Sequence, residues 1–529
     1  MNAGFTANHV ARAVPTSTGV GGGAATVHSP AASSWLLDAV LSASGGAVSS
    51  AGTRDSTRLE RFLDERNPLQ AIAIWLAGRT PATGRQLLQL LALDLAQIDD
   101  LLTAQINAIL HQPQFQRLES AWRGLRFLVD QARDGANVKI RVLNVAWKEL
   151  ARDFERASEF DQSSLFKKVY GAEFGTPGGE PFGVLIGDYE IHPSVSADHN
   201  IDDVSVLTGV AQVAAAAFAP FIGAAHPSLF GIDEFSVLEQ PLDIARTFDQ
   251  LEYLRWRAFR EMDDSRFIGL TLPRVLSRLP YADDGSRVDG FRFCEDVAGP
   301  DRRNYLWGNA AFAYGAVLLR EFAETGWLAD IRGVRRDDPG GGGVPGLPQE
   351  SFSTDKPGLV RKFSTDIAIP ELRDKELSDL GFITLCPCKE TDLAAFFSSA
   401  SLHKSRAYDT PHATLNAKMS AMLQYTLCVS RFAHYLKVIM RDKIGSFAEP
   451  QECQQYLESW LAGYVTSDSE ASLQTKAEYP LREAKIQVHE LAGKPGSYSC
   501  IVHLRPHFQL DDLQTGIRLV TELAPAQPA

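Results

Sequence analysis

The spacing of apolar residues divides the chain into segments of helical and of strand character. Over residues 59–131 apolar side chains recur every three or four positions, which predicts a series of amphipathic helices. Beyond Gly135 the period changes, and residues 138–145 and 182–186 predict strands. A helix predicted between these two strands, ending at Tyr170, would complete a β-α-β unit.

The middle of the chain continues this alternation of helices and strands. Apolar and aromatic residues at helical spacing predict helices over residues 204–218, 251–262 and 307–324. Short apolar runs predict strands over residues 267–272 and 291–295. The predicted fold class is therefore mixed α/β (α+β). With 529 residues the chain should hold several domains, because single cores rarely exceed about 250–300 residues.

A run rich in glycine and proline, residues 335–356, interrupts the regular pattern. It contains four consecutive glycines, so we predict a long surface loop without regular structure. A change of pattern near Leu372 then marks the start of the last domain. The predicted domains are an N-terminal arm (1–58), a helical region (59–131), a middle α/β domain (132–370) and a C-terminal α/β domain (371–529).

The last domain is predicted to contain a long helix over residues 413–443. Four basic residues collect toward its C-terminal half, namely Arg431, Lys437, Arg441 and Lys443. One interpretation is that these charges stabilise the negative end of the helix dipole. The other is that they contact an acidic surface on a partner protein.

The chain ends in three predicted strands, residues 485–491, 498–504 and 516–523. In the third, apolar and polar residues alternate, as expected of a half-buried strand. Because this strand is terminal and follows a polar spacer, it is suited to pair with the sheet edge of a neighbouring protomer. The predicted inter-protomer strand consists of Gly516, Ile517, Arg518, Leu519, Val520, Thr521, Glu522 and Leu523.

The N-terminal arm combines a polar segment with one short apolar helix. Residues 1–32 carry too little apolar bulk to offset the entropy of ordering, and they are predicted to be disordered. An isolated helix of about two turns, predicted over residues 33–41, is marginal in water, so we expect it to bind a groove on another protein. The alternative is docking on the chain's own domain. The residues of this predicted binding helix are Trp35, Leu36, Leu37, Val40 and Leu41.

The net charge and the lengths of the apolar runs argue against nucleic acids and membranes as partners. A formal charge of −13 argues against a general nucleic-acid or anionic-membrane surface, because both partners are polyanions. The first thirty residues lack the apolar segment of a secretory signal, which predicts a cytoplasmic protein. The longest apolar run, residues 209–225, is shorter than the roughly 20 residues of a membrane-spanning helix, so no membrane insertion is expected.

No arrangement of residues predicts catalysis or a cofactor. The glycine-rich loop before residue 182 leads into a strand and lacks the Gly-Lys-Ser/Thr of a phosphate-binding loop. Cys386 and Cys388 form a single CxC pair without a second half-site, and we interpret them as free thiols. His434 has no second histidine four positions away and is interpreted as a core residue. Asp188, His503 and His507 lack partners at catalytic or metal-ligand spacing, so we expect no enzyme, no metal and no cofactor.

The densest local pattern is residues 165–189, LFKKVYGAEFGTPGGEPFGVLIGDY. It closely resembles the EfGTPGGEPFGvLiGDYe signature of TssC, also called VipB or EvpB, the large sheath subunit of the bacterial type VI secretion system. By this resemblance the chain is identified as a member of the family over about residues 98–523. Further matching segments are residues 115–129, 161–170, 267–281, 304–315, 431–445, 480–484 and 505–510.

This resemblance implies a contractile-sheath fold similar to the phage tail sheath. TssC-like proteins pair with a small subunit, TssB, and the heterodimers stack around a tube of Hcp hexamers. Contraction drives the tube into a target cell, and the AAA+ unfoldase ClpV recycles the contracted sheath. The implied partners are TssB, neighbouring protomers, the Hcp tube, the baseplate and ClpV. The alternative is the sheath protein of a related phage-tail-like contractile injection machine.

The resemblance also implies roles for three of the predicted segments. Residues 36–38, Leu-Leu-Asp, match a segment of the ClpV-binding helix of the family. The terminal strand, residues 516–523, corresponds to a strand that interlocks protomers. The basic residues of the long helix, from Arg431 to Lys443, would then contact the Hcp tube.

Overall fold

The computed structural model describes residues 52–132, 137–174, 176, 178–285, 290–297, 302–334, 340–351, 363–388, 391, 393–442, 450–468, 470–490, 498–507 and 517–523. The predicted binding helix, residues 33–41, lies outside this part of the chain, as do Lys443 and Gly516. The chain divides into two compact units, residues 1–109 and 110–529.

Four helices open the described chain and confirm the helical periodicity predicted for residues 59–131. They are α1 (Gly52–Asp64), α2 (Pro68–Leu76), α3 (Gly84–Leu110) and α4 (Pro113–Gln131). Local chemistry explains where two of them begin. The Asn67 and Gln112 side chains accept hydrogen bonds from the backbone N–H groups of Leu69 and Phe115, and proline follows each cap.

The remaining helices alternate with strands. The side chains of Asp202 and Asn309 cap helices α8 (Asp203–Ala217) and α11 (Ala310–Thr325). These two helices confirm those predicted near residues 204–218 and 307–324. A π-helical turn, Lys167–Gly171, joins α6 (Ser164–Phe166) to α7 (Ala172–Phe174). The helices are α5 (Trp147–Arg156), α6 (Ser164–Phe166), α7 (Ala172–Phe174), α8 (Asp203–Ala217), α9 (Ile244–Phe248), α10 (Leu254–Glu261), α11 (Ala310–Thr325), α12 (Glu371–Asp379), α13 (Pro411–Ser420), α14 (Leu423–Asp442), α15 (Pro450–Ala462) and α16 (Leu473–Glu478).

The strands form one six-stranded sheet and two smaller ones. They are β1 (Leu185–Ile191), β2 (Phe221–Ala225), β3 (Ile268–Leu272), β4 (Val275–Leu276), β5 (Trp307–Gly308), β6 (Gly343–Val344), β7 (Phe382–Pro387), β8 (Ala394–Phe396), β9 (Leu481–Glu490), β10 (Tyr498–Pro506) and β11 (Ile517–Leu523). The six-stranded main sheet has the order β1-β2-β3-β7-β8-β6. The first four strands run parallel to one another, β8 pairs antiparallel with β7, and β6 pairs antiparallel with β8. Strand β3 confirms the strand predicted at residues 267–272.

The main sheet is covered on both faces. Along β2, Phe221 packs into one core and Ile222 into the other, and Phe382 and Ile383 of β7 divide in the same way. One core is built with α8 and α10, the other with α11 and the start of α14. A parallel strand buried on both faces reads as a continuous apolar run, which is why β2 and β3 show no alternation.

The strand predicted over residues 138–145 does not form. Its backbone is irregular, and Val142 is 68% exposed. Side-chain ion pairs hold the segment instead, since the Arg141 guanidinium contacts the carboxylates of Glu173 and Glu180. The predicted β-α-β unit is therefore wrong in its first strand, because these charged contacts take the place of a backbone ladder.

The strand predicted over residues 291–295 is also wrong. This segment is irregular, and the Glu295 carboxylate fixes it by accepting hydrogen bonds from the Arg278 guanidinium and from the backbone N–H of Tyr281. The strand predicted at residues 182–186 does form but is displaced along the chain, since β1 begins at Leu185.

The four consecutive glycines belong to the main sheet rather than to a surface loop. Residues 340–344 are buried, and the edge strand β6 pairs with β8. A Cβ atom on Gly342 would lie 2.1 Å from the carbonyl oxygen of Phe396, so this backbone approach requires glycine. Arg320 of α11 donates a hydrogen bond to the Gly343 carbonyl at 2.5 Å. The predicted surface loop is therefore wrong for these residues, whose glycines permit close packing.

We expect the substitution Gly342→Ala to lower the free energy of unfolding by about 1–3 kcal/mol, because the added methyl group overpacks the sheet edge. Chemical denaturation followed by circular dichroism measures the change. Gly84→Ala is the matched control, since nothing lies within 4 Å of an added Cβ atom there and it begins α3. Equal losses of stability in the two variants would contradict the packing argument.

The predicted domain boundary between residues 370 and 371 falls within the main sheet. Strands β7 and β8 follow α12 in the chain, yet β7 pairs with β3 and β8 with β6. A third core joins α14 and α15 to the C-terminal strands; it includes Phe432, Leu457, Ile486 and Val502. Among the described residues, no helix is both long enough and apolar enough to span a bilayer.

Candidate assembly interfaces

The three C-terminal strands form a separate sheet with β10 in the middle and β11 at one edge. On one face of β10, Cys500, Val502 and Leu504 are buried in the third core, whereas His503 between them is exposed. The buried side chains anchor β10 in the third core, and the backbone groups along its two edges pair with neighbouring strands. The edges are occupied by β9 and β11.

The predicted inter-protomer strand is present as β11, but its partner is β10 of the same chain. The antiparallel pairing runs from Tyr498 opposite Leu523 to Leu504 opposite Ile517. Within the single chain the strand therefore does not leave its own subunit, because the edge of β10 is within reach of the chain's own tail. Among the described strands, none pairs with the outer edge of β11.

Lys437, predicted as a partner contact, packs against aromatic rings of its own chain. Its ammonium nitrogen lies 4.8 Å from the ring centre of Phe218, 5.1 Å from that of Phe174 and 5.5 Å from that of Tyr170. These distances suit cation–π contacts. Burial lowers the pKa of Lys437 to about 8. The side chain thus serves the internal packing of α14 against the π-helical segment.

The neighbouring basic side chains of α14 are also engaged within the chain. Arg431 donates hydrogen bonds to Nδ1 of His434 and to the Tyr435 hydroxyl, both at 3.2 Å. Arg441 donates to the carbonyl oxygen of Thr176 at 3.2 Å. Thr176 lies in the segment between α7 and β1. Arg441 therefore holds this segment at Thr176, while contact of the basic residues with a partner stays a prediction.

We expect Lys437→Met to raise the free energy of unfolding at pH 7 by about 1–3 kcal/mol, because removing a buried charge outweighs the lost cation–π contacts. The pKa in the folded state, about 8, lies below the ordinary 10.5. The unfolded wild type therefore binds more protons in this window, its stability rises from pH 8 to 10.5, and the advantage of the variant should shrink there.

Denaturation midpoints measured across this pH range test the prediction. Lys418→Met, at an exposed position of α13, is the matched control and should leave stability unchanged at every pH. A variant at Lys437 that is less stable than wild type at pH 7 would show that the cation–π contacts dominate.

Helices α2 and α3 carry large apolar side chains that are exposed in the described part of the chain, and we call these side chains the apolar surface of α2 and α3. All of their residues are described, and none is fully buried. Leu69 of α2 is 78% exposed, and Leu88 and Leu101 of α3 are 68% and 71% exposed. Soluble monomers rarely leave large contiguous apolar patches in water, so such a surface indicates a protein partner.

Of the side chains considered for catalysis or metal binding, His434 and Cys386 are buried in the protein core. Nε2 of His434 donates to the Ala217 carbonyl at 2.8 Å, and burial lowers the pKa of this histidine to about 3, which confirms a core residue. Burial raises the pKa of the Cys386 thiol to about 12, so it is a poor nucleophile and metal ligand at neutral pH. Asp188 and His503 are exposed.

One cluster of possible metal ligands has no recognised sequence motif. Among the described residues, the metal-ligand atoms that lie close together belong to His192, His199 and Asp203, within 4.8 Å of one another. The spacing His-x6-His-x3-Asp is the signal in the sequence that could have found it. It is a weak signal, because no common metal motif has this spacing.

Comparison with protein families matches two models to most of the chain. The EvpB/VC_A0108 tail sheath N-terminal domain matches residues 93–403, and the EvpB/VC_A0108 tail sheath gpW/gp25-like domain matches residues 412–523. The division between the two models lies beyond β8. It agrees with the continuity of the main sheet rather than with a boundary near Leu372.

Individual proteins also match. The type VI secretion system sheath protein TssC1 of Pseudomonas aeruginosa is 44% identical over 438 residues, which are 82% of this chain and 86% of that protein. A chain in the cryo-EM structure of the anti-feeding prophage baseplate matches with a TM-score of 0.32 and 8% identity, over 72% of this chain and 82% of that one. The resemblance carried by the signature at residues 165–189 is thus confirmed by the family models and the relative. The chain therefore belongs to the EvpB/VC_A0108 tail sheath family, as a type VI secretion sheath protein of the large-subunit (TssC) type.

Proposed function

We propose that this sheath protein pairs in the cytoplasm with the small subunit TssB, polymerises around the Hcp tube and contracts to propel that tube into target cells. The observation that carries the proposal is β11, an edge strand of a small sheet that pairs with β10 on one side. Such a strand can be exchanged between copies of the chain, which gives a sheath its lateral links.

Exchange of β11 is thermodynamically inexpensive. The seven residue pairs between β10 and β11 would form identically whether the strand comes from the same chain or from a neighbour. Each net hydrogen bond contributes only about 0.5–1.5 kcal/mol, but the ladder as a whole resists detachment. Repeated around every ring, exchanged strands would transmit the pull of contraction while the preceding spacer lets protomers rotate.

The apolar surface on α2 and α3 supports a dedicated partner. Burying Leu69, Leu88 and Leu101 in a heterodimer would contribute about 1.5–3 kcal/mol for each side chain. We propose that TssB covers this surface. The net charge of −13 further favours assembly with proteins over binding to nucleic acid.

We propose that contact with the Hcp tube involves the last turn of α14 and the residues after it. Arg441 and Lys443 are the candidates there. Arg431 and Lys437 have the internal contacts described above, so we assign them to packing. Arg441 also has an internal hydrogen bond, to the Thr176 carbonyl, and we propose that it keeps this bond while it contacts the tube. Exposed ion pairs are screened over about 8–10 Å near physiological salt, so a charge-based tube contact should weaken as salt increases.

The N-terminal helix predicted at residues 33–41 is proposed as the site for the recycling unfoldase ClpV. Replacing both Leu37 and Leu41 by Asp should weaken binding to the unfoldase N-domain more than a hundred-fold, since two buried leucines contribute about 1.5–3 kcal/mol each. Sheath assembly should be unchanged. Ala39→Asp, on the side of the predicted helix away from Leu37 and Leu41, is the control for added charge. A pull-down with undiminished binding of the double Asp variant would refute the site.

The proposed function is tested by co-expressing this chain with the small sheath gene beside it and examining the product by electron microscopy. We expect long tubules with a cogwheel cross-section. Heterodimers that never polymerise under any condition would contradict the proposal. A ClpV-like gene in the same cluster favours type VI secretion, and its absence favours a related contractile injection machine.

A further inference from the structure

Three imidazole rings are stacked where β1 and β2 end. His192 directly follows β1, and His226 directly follows β2. The ring centres of His192 and His199 are 4.0 Å apart, and those of His192 and His226 are also 4.0 Å apart. His199 lies in the loop that leads into α8, whose first residue is Asp203.

Asp203 faces the first two rings and is itself buried, with 1% of its surface exposed. Its Oδ1 lies 2.7 Å from Nε2 of His199, and its Oδ2 lies 3.2 Å from Nδ1 of His192. The Trp147 indole N–H donates to Oδ1 at 2.7 Å, and the backbone N–H of His192 donates to Oδ2 at 2.8 Å. The carboxylate is therefore fixed in orientation by two donors other than the imidazole rings.

We propose that His192, His199 and Asp203 bind one divalent transition-metal ion of the zinc class. Two imidazole nitrogens and one carboxylate are a donor set that zinc uses, whereas calcium and magnesium prefer sites made of oxygen alone. The side chains of His192 and His199 are 18% and 20% exposed, so solvent reaches both rings.

The surroundings support a metal site in two further ways. Trp147 orients the ligand carboxylate as the outer partners of metal sites do. His226 is excluded from the ligand set, because its Nδ1 accepts a hydrogen bond from the backbone N–H of Ser228 at 3.2 Å. Its Nε2 faces Glu190, whose carboxylate is paired with the Arg274 guanidinium at 2.6 Å.

Metal binding would replace two hydrogen bonds. In the metal-free arrangement, Nδ1–H of His192 and Nε2–H of His199 donate to Asp203. A bound ion would take the nitrogen of each ring that faces Asp203, so each ring would then carry its proton on its other nitrogen. The bound ion would link the end of β1, the following loop and the start of α8, and so stabilise this edge of the main sheet.

The test uses full-length protein, co-expressed with its partner where that keeps it in solution, with any affinity tag removed. After treatment with a chelator, ZnCl₂ is added back and the bound metal is counted by mass spectrometry. Co²⁺ serves as a second probe through its visible d–d absorption. We expect one ion per chain and a higher melting temperature with Zn²⁺ than without it.

Two variants separate metal binding from hydrogen bonding. His192→Asn and His199→Gln keep an amide N–H that can donate to Asp203, but they are poor zinc ligands, so each should weaken Zn²⁺ binding more than ten-fold while the metal-free variant melts as wild type does. His226→Gln is the matched control and should retain binding. The proposal would be overturned if the wild type bound no Zn²⁺, or if all variants bound it as tightly as the wild type. It would also be overturned if His226→Gln lost as much Zn²⁺ affinity as the two ligand variants.

Discussion

Truncation of the chain after Thr515 should preserve the heterodimer with the small subunit and abolish long sheaths. The lost residues include all of β11, whose seven pairs with β10 are the ladder proposed to link protomers. The truncated protein keeps Cys500, Val502 and Leu504 of β10, which pack with α14 and α15 in the third core. The product should therefore fold and bind its partner, while polymerisation stops at short oligomers.

A single substitution tests the same point without shortening the chain. Leu519→Pro interrupts the strand, because proline supplies no backbone N–H to a ladder. Leu519→Val is the control, since it keeps the backbone donor and a residue suited to strands. Sheath length distributions by electron microscopy measure the effect. Sheaths of normal length that still contract, formed by the truncated protein, would show that the terminal strand is an ordinary intrachain strand.

The second prediction with a large expected effect concerns the solubility of the chain when it is expressed alone. The chain expressed alone should aggregate, and co-expression with the small subunit should shift it to a discrete heterodimer in size-exclusion chromatography. The reason is the exposed apolar surface of α2 and α3, which includes Leu88 and Leu101. Leu88→Glu with Leu101→Glu should weaken the heterodimer more than a hundred-fold, because about 1.5–3 kcal/mol is lost for each side chain and about 1.4 kcal/mol is ten-fold.

Gln97→Glu is the matched control for this experiment. It adds a negative charge at an exposed position of the same helix without removing apolar surface, so the heterodimer should be retained. A chain that is monodisperse and stable by itself would contradict the account. A heterodimer that is unaffected by the two leucine substitutions would also contradict it, because the small subunit would then bind another surface.

Local signals explain which elements could be predicted from the sequence. Helices α8 and α11 begin directly after Asp202 and Asn309, whose side chains cap them, so periodicity and capping agree. Strand β3 could be predicted because a fully buried parallel strand is a short apolar run between turns. The family was recognisable because the signature at residues 165–189 is long and specific.

The failed predictions have a common cause in contacts between distant residues. Residues 138–145 carry a strand pattern, but Arg141 is drawn to Glu173 and Glu180 instead. The glycine run was interpreted as a loop because its reason for being glycine, the approach of the Gly342 backbone to Phe396, is visible only in three dimensions. The terminal strand and the basic residues of α14 could be predicted from local patterns, whereas the exposure of the apolar side chains on α2 and α3 and the histidine cluster depend on packing.

The central claim, exchange of β11 between protomers, can be tested by one cross-linking measurement. Cys500 and Thr521 are register partners in the antiparallel pair, and Cα atoms opposite each other in such pairs are about 4.5–5.5 Å apart, within the range of a disulfide. Thr521→Cys would therefore place a thiol opposite the native Cys500. Thr521→Cys combined with Cys500→Ser is the control and should give no specific cross-link.

The variant is oxidised once as the unassembled heterodimer and once as assembled sheath, and both samples are run on denaturing gels without reductant. Our account predicts an internally cross-linked single chain before assembly. In the sheath it predicts a ladder of covalent multimers of this chain, because each tail then pairs with β10 of a neighbour. Single cross-linked chains alone, recovered from fully assembled sheaths, would contradict it.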